Sequence, residues 1–124
     1  MADRRFPARV LAIVNDRKIL WLRSGREHRF TGVWAVVLGD RVFVRSWNDK
    51  PTGWYRAFLE EPRGAIRLGD RIVRVRARKA ASGSVVKAVE EAYAEKYQTA
   101  GSLTYVRGFK LPRRRRTTTE LMPA

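Results

Sequence analysis

The chain has 124 residues, 44% of them hydrophobic and 10% aromatic, which suits one globular domain over residues 1–124 and excludes a disordered chain. With no cysteine and a single histidine, His28, it has no disulfide, no thiol nucleophile, no Cys-zinc site and no multi-histidine metal site. Its net charge of +15 is carried mostly by arginine and must attract anions, whether nucleic acid, an anionic membrane surface or a phosphorylated or carboxylated small molecule.

In chain order, Pro7 starts a short helix with Val10, Leu11 and Val14 on one face, ended by Asn15-Asp16. The apolar run Val10–Val14 is too short for a secretory core or a membrane span, so the expected compartment is the cytoplasm and no membrane contact is expected. Lys18–Leu22 reads as a strand and Ser24–Arg29 as a polar loop. Val33–Leu38 and Arg41–Arg45 flank Gly39-Asp40, and Ala65–Leu68 and Arg71–Arg78 flank Gly69-Asp70, so both read as hairpins. Glycine as first turn residue predicts a type II′ turn, whose positive φ only glycine takes without strain. That turn puts Leu38 opposite Arg41, Val36 opposite Phe43 and Trp34 opposite Arg45, with both faces of the first hairpin largely apolar. In the second hairpin Ile66, Leu68, Val73, Val75 and Ala77 share one face; Arg67, Arg74, Arg76 and Arg78 share the other, as a solvated face or an anion site.

Between the hairpins, Thr52 is the expected N-cap of a helix through Leu59, stopped by Pro62, with Trp54 and Phe58 inward. Ser84 is the expected cap of a further helix carrying Val85, Val86, Val89, Ala92, Tyr93 and Tyr97. Thr99–Gly101 should end it, Leu103–Pro112 should form a less regular connection past an Arg113–Arg116 run, and Thr117–Met122 should form a closing strand. These elements make a mainly β, α+β chain. The sequence holds no phosphate-binding glycine loop, no paired carboxylates and no hydroxyl with an evident base beside it. Any enzymatic chemistry would therefore belong to a bound cofactor.

Ile19–Arg26, Val42–Ser46, Trp54-Tyr55, Pro62 and Ile66-Arg67 together resemble a family of short uncharacterised bacterial proteins. That family in turn looks like the deazaflavin-dependent nitroreductases and, more distantly, the pyridoxamine-phosphate-oxidase-like FMN-binding split barrels. The resemblance covers about residues 7–122, and its most specific piece is Trp54-Tyr55 with Pro62 seven residues after the tyrosine. It implies a six-stranded split β-barrel with a short N-terminal helix, a helix between the hairpins and a C-terminal helix before the last strand. It also implies a homodimer with a deazaflavin coenzyme or FMN in an interface groove. The loops over Arg23–Arg29 and Asn48–Trp54 would hold the cofactor's phosphate-bearing tail, with Arg23, Ser24, Gly25, Arg26, Ser46, Lys50 and Trp54 as binding residues. Two departures bear on this. The family's Gly-Arg-Lys-Ser-Gly pattern becomes Gly25-Arg26-Glu27-His28-Arg29, and the lysine that holds the FMN phosphate in the oxidase branch aligns with Trp54. Three functions are thus open: a deazaflavin- or flavin-dependent oxidoreductase, a cofactor-free binder of small anionic molecules, and a non-specific nucleic-acid binder using Arg113–Arg116 and the Arg74, Arg76, Arg78 face.

Overall fold

The structure is a computed structural model that describes residues 5–80 and 82–124. Along the chain run α1 (Ala8–Asp16), β1 (Leu20–Ser24), β2 (Thr31–Val33), β3 (Ala35–Leu38), β4 (Arg41–Val44), α2 (Trp54–Glu60), β5 (Arg63–Leu68), β6 (Arg71–Lys79), α3 (Gly83–Lys96), α4 (Ala100–Gly108), α5 (Pro112–Arg115) and β7 (Thr119–Pro123). Both glycine-led turns form as the sequence requires. Gly39 and Gly69 each have φ near +61°, and Asp49 is the sole described non-glycine residue with positive φ. Asp40 and Asp70 therefore keep negative φ, which selects type II′ over type I′. The registers follow from those turns: Leu38 opposes Arg41 and Val36 opposes Phe43 in one hairpin, Leu68 opposes Arg71 and Ile66 opposes Val73 in the other. Trp34, expected to pair with Arg45, lies between β2 and β3 and joins neither strand.

The sheet has the order β2-β1-β5-β6-β7-β4-β3 with antiparallel pairs and curls into a nearly closed barrel of seven strands, one more than the six expected. The additional strand is β2. Its Gly32 stands opposite Trp21, where a side chain would meet the Ile19 Cγ2 at 2.9 Å and the Trp21 ring at 3.3 Å. Two apolar faces on the first hairpin have a simple cause, since it divides two cores. Ala35, Val42 and Val44 pack inside the barrel with Leu22, Ile66 and Val75. Val36 and Phe43 pack outward against Val89, Tyr93 and Tyr97 of the α3 region and Val106 and Phe109 of the α4 region. Each such side chain taken fully out of water contributes about 1.5–3 kcal/mol.

The stretch from Leu103 to Pro112 is more regular than expected. Thr99 caps α4, its hydroxyl oxygen accepting from the Ser102 N–H at 3.2 Å, and three helices rather than one precede the last strand. β7 lies between β6 and β4 and carries Glu120, which is 2% exposed. Its carboxylate accepts from Arg41 Nε at 3.0 Å and from Arg41 and Arg78 Nη2 at 2.9 and 2.7 Å. Burial, the largest single effect, opposes ionisation, but those hydrogen bonds and the charges of Arg41 and Arg78 together hold its pKa below the ordinary value.

Candidate functional site

A concavity of about 800 Å³ opens between β2, the end of β4, the start of α2 and the end of α4. Its walls are aromatic: Trp34, Trp47, Trp54, Tyr105 and Phe109. Trp34 is held flat by Tyr97, with centroids 4.1 Å apart and planes 6° from parallel. The Trp34 carbonyl accepts from the Tyr93 hydroxyl at 2.5 Å, and the Tyr97 hydroxyl donates to the Lys18 carbonyl at 2.7 Å. Burial raises the pKa of both phenols, so they remain neutral donors. Trp47 is gripped as firmly. The Arg114 guanidinium lies 3.5 Å from its ring centre and donates through Nε to its carbonyl at 2.8 Å. Gly108 lies against the same ring, where an added Cβ would sit 2.3 Å from Trp47 Cη2.

Behind the cavity lies Arg45, whose side chain is 0% exposed. Its Nε donates to Thr118 Oγ1 at 2.7 Å, Nη1 to the Phe109 carbonyl at 3.1 Å and Nη2 to the Val86 carbonyl at 2.7 Å. Glu90 is ion-paired to it at 3.5 Å and also to Arg115. Burial lowers the Arg45 pKa, against the opposing pull of Glu90, and one guanidinium fastens β4, α3, the end of α4 and the approach to β7. The cavity lip is the turn after it. The Ser46 hydroxyl accepts from the Asp49 N–H at 3.0 Å, Gly53 N–H donates to the Lys50 carbonyl at 2.9 Å, and Arg56 clasps the Asp49 carboxylate with two bonds of 2.8 and 3.0 Å. That clasp holds Asp49 at φ 47°, a conformation Asp tolerates better than most residues.

The residues singled out from the sequence fall into two groups. Ser46, Lys50 and Trp54 line the aromatic cavity. Arg23, Gly25 and Arg26 line a separate groove on the outer sheet face, which shares no residue with that cavity. A space of about 140 Å³ between them is lined by Arg23, Ser24, His28 and Arg29, and shares Thr31, Thr52, Gly53 and Trp54 with the cavity. Ser24 is 1% exposed, and its hydroxyl points to the end of α2, donating to the carbonyls of Glu61 at 2.7 Å and Ala57 at 3.1 Å. The cavity's mobile cations are Lys18, 5.6 Å from the Trp34 ring centre, and Lys50, both exposed. Trp34, Tyr105 and Phe109 were not singled out, because aromatic residues in apolar patterns read as packing, nor was Lys18 at the start of a strand; only the tertiary fold gathers them. Among the described residues no group of His, Cys, Asp and Glu is placed to hold a metal ion, and no helix is long and apolar enough to cross a membrane.

A comparison with curated proteins finds no match. Among solved structures, the conserved hypothetical protein Rv2991 from Mycobacterium tuberculosis is 15% identical with a TM-score of 0.59, over 100% of this chain and 83% of that one. A Listeria innocua protein provisionally identified as a pyridoxamine 5'-phosphate oxidase is 10% identical with a TM-score of 0.59, over 94% of this chain and 90% of that one. At such identities the likeness is one of fold, that of the pyridoxamine-oxidase-like split barrels. Residues 12–121 match the family described as an uncharacterized protein conserved in bacteria, and the chain thus belongs to that family, DUF2255.

Proposed function

We propose that the aromatic cavity binds a flavin-type redox cofactor, a flavin or a deazaflavin, and that the chain is a reductase of small acceptors. The observation that carries this reading is the cavity itself: about 800 Å³, the size of a cofactor site, with flat walls whose rings are locked from behind. Trp34 and Trp54 offer surfaces for a planar ring system, and Lys18 and Lys50 offer ammonium groups for a phosphate-bearing tail. Arg29 extends that cationic lining into the adjoining space. When bound, such a group supplies hydride transfer; the chain's part is to bind, orient and exclude water. The fold of the oxidase-like neighbour supports the reading, while fold alone does not fix function.

A second reading, a cofactor-free binder of small aromatic molecules, is favoured by the commitment of Arg45 to protein acceptors, which leaves the cavity only flexible lysines. Titration of the purified protein with FMN and with deazaflavin coenzyme, followed by tryptophan emission, separates the two. Saturable quenching that Trp54→Ala abolishes and Lys50→Ala weakens about threefold to tenfold fits a stacked ring and an exposed charge contact. Absence of binding of either cofactor at high micromolar concentration would leave the cofactor-free reading. The proposal includes a homodimer, since Ile19 and Tyr105 at the cavity rim stay 37% and 48% exposed and a second copy would cover them.

A further inference from the structure

The groove that received Arg23, Gly25 and Arg26 has a volume of about 690 Å³. It runs over the outer face of β1, β5 and β6, where Arg23 opposes Ala65 and Ala65 opposes Arg74. Two guanidiniums thus rise on either side of a methyl floor, two strand spacings or about 10 Å apart. Arg26 and Arg63 close the same groove. Among the described residues Glu61 is the only acidic side chain lining it, and it is ion-paired to Arg63 at 3.3 Å. Among the described residues no carboxylate pairs Arg23, Arg26 or Arg74, and the Arg23 Nε is buried with no hydrogen-bond acceptor. A buried charged donor left unpaired is costly, as is a cluster of like charges on one sheet face. A ligand with several acceptor oxygens removes both penalties at once. Arginine forks suit phosphate, which accepts two parallel N–H bonds from each. Beside the arginines, Ile72 is 53% exposed and lines the groove, which gives an organic substituent an apolar surface.

We infer that this groove is a second ligand site, independent of the aromatic cavity, for an organic phosphate ester carrying two or more negative charges. Arg23 and Arg74 grip the phosphate groups from opposite sides, Arg26 adds a third fork, and the body of the molecule lies on Ile72.

Calorimetric titration with ADP and with inorganic pyrophosphate at near-physiological salt tests it on the full chain. Both should bind saturably, ADP more tightly, and Arg26→Gln and Arg74→Gln should each weaken ADP about tenfold or more, the loss of one charge-assisted fork. Ile72→Ser should remove the preference for ADP over pyrophosphate. Because an exposed arginine is not needed for folding, both glutamine variants should melt within a few degrees of wild type without ligand; variants that weaken binding only by unfolding would overturn the assignment. Lys50→Gln should leave ADP affinity unchanged, so failure of the cavity reading leaves this result readable. No binding of ADP at millimolar concentration overturns the inference. So does an equal loss from Arg113→Gln, which would mark a diffuse basic surface, or a loss from Lys50→Gln, which would merge the two sites.

Discussion

Replacing Arg45 by lysine isolates what its buried guanidinium contributes, because lysine keeps the charge and loses the fork. In the native protein Nε, Nη1 and Nη2 each reach a different element at 2.7, 3.1 and 2.7 Å. A lysine ammonium at that depth reaches one of the three acceptors and leaves two buried oxygens short of a donor. Each bond to a charged group is worth about 1.5–3 kcal/mol, so losing two costs about 3–6 kcal/mol before relaxation, and about 3–5 kcal/mol is the range for a broken buried pair. For a domain between the small and mid-sized classes, 1 kcal/mol corresponds to about 3–5 °C, so the melting temperature should fall by about 10–20 °C. Urea denaturation followed by tryptophan emission measures the loss directly, since Trp34 accepts through its carbonyl from Tyr93 of α3 and Trp47 packs on Phe109. Arg45→Met should cost nearly as much as Arg45→Lys. A lysine variant within about 1 kcal/mol of wild type would show that charge alone, or water, satisfies the site and would refute the fork.

Other expectations concern strand pairing, proton uptake and assembly. Gly64→Ala should cost more than about 3 kcal/mol or prevent folding, because its Cβ would fall 2.1 Å from the Arg23 carbonyl; soluble yield and melting temperature report it. Burial lowers the Lys96 pKa from 10.5 to about 8, while its Nζ donates to the carbonyls of Val14 and Ala35 at 2.9 and 2.7 Å. Between about pH 8 and 10 the unfolded chain therefore binds more protons than the folded one, so stability rises across that window. Above pH 10 the buried tyrosines, whose pKa values are raised, reverse the trend. Urea midpoints against pH should show the rise in wild type and lose it in Lys96→Met. Sedimentation at micromolar concentration should give twice the 14.3 kDa chain mass; a monomer alone would remove the dimer from the proposal.

Much of the frame was legible because local chemistry dictated it. Gly39 and Gly69 set turn type and register, and the 3.6-residue stripe ending at Tyr93 and Tyr97 marked α3. The helix at α4 was obscured by Gly101, a poor helix former in its first turn, although Thr99 three residues before Ser102 was a usable capping signal. β2 was too short to show any alternation, and only the Trp21 and Ile19 side chains above Gly32 explain its residue choice. Trp54 and Lys50 were visible as candidates through the loop before α2. The cavity was not, since Lys18, Trp34 and the pair Tyr105 and Phe109 come from three distant stretches and the aromatic residues read as packing. Nor could the sequence show that Arg26 and Lys50 face different concavities, because that depends on the curl of β1 around α2.

The place of β7 bears on how the molecule is made. Thr119–Pro123 follows every other described strand along the chain, yet it joins β6 on one side to β4 on the other. Until it arrives, the four strands on the β6 side and the two on the β4 side are separate sheets, each with an open edge. Joining those half-barrels needs long-range pairing, the kind of step that loop closure slows. Without β7 the edges of β4 and β6 are open to pairing with other chains. Arg41 and Arg78 stand one on each of those edges and meet on Glu120 only where β7 lies between them, so the ion cluster of the finished barrel corresponds to a cation on each edge of the unclosed one.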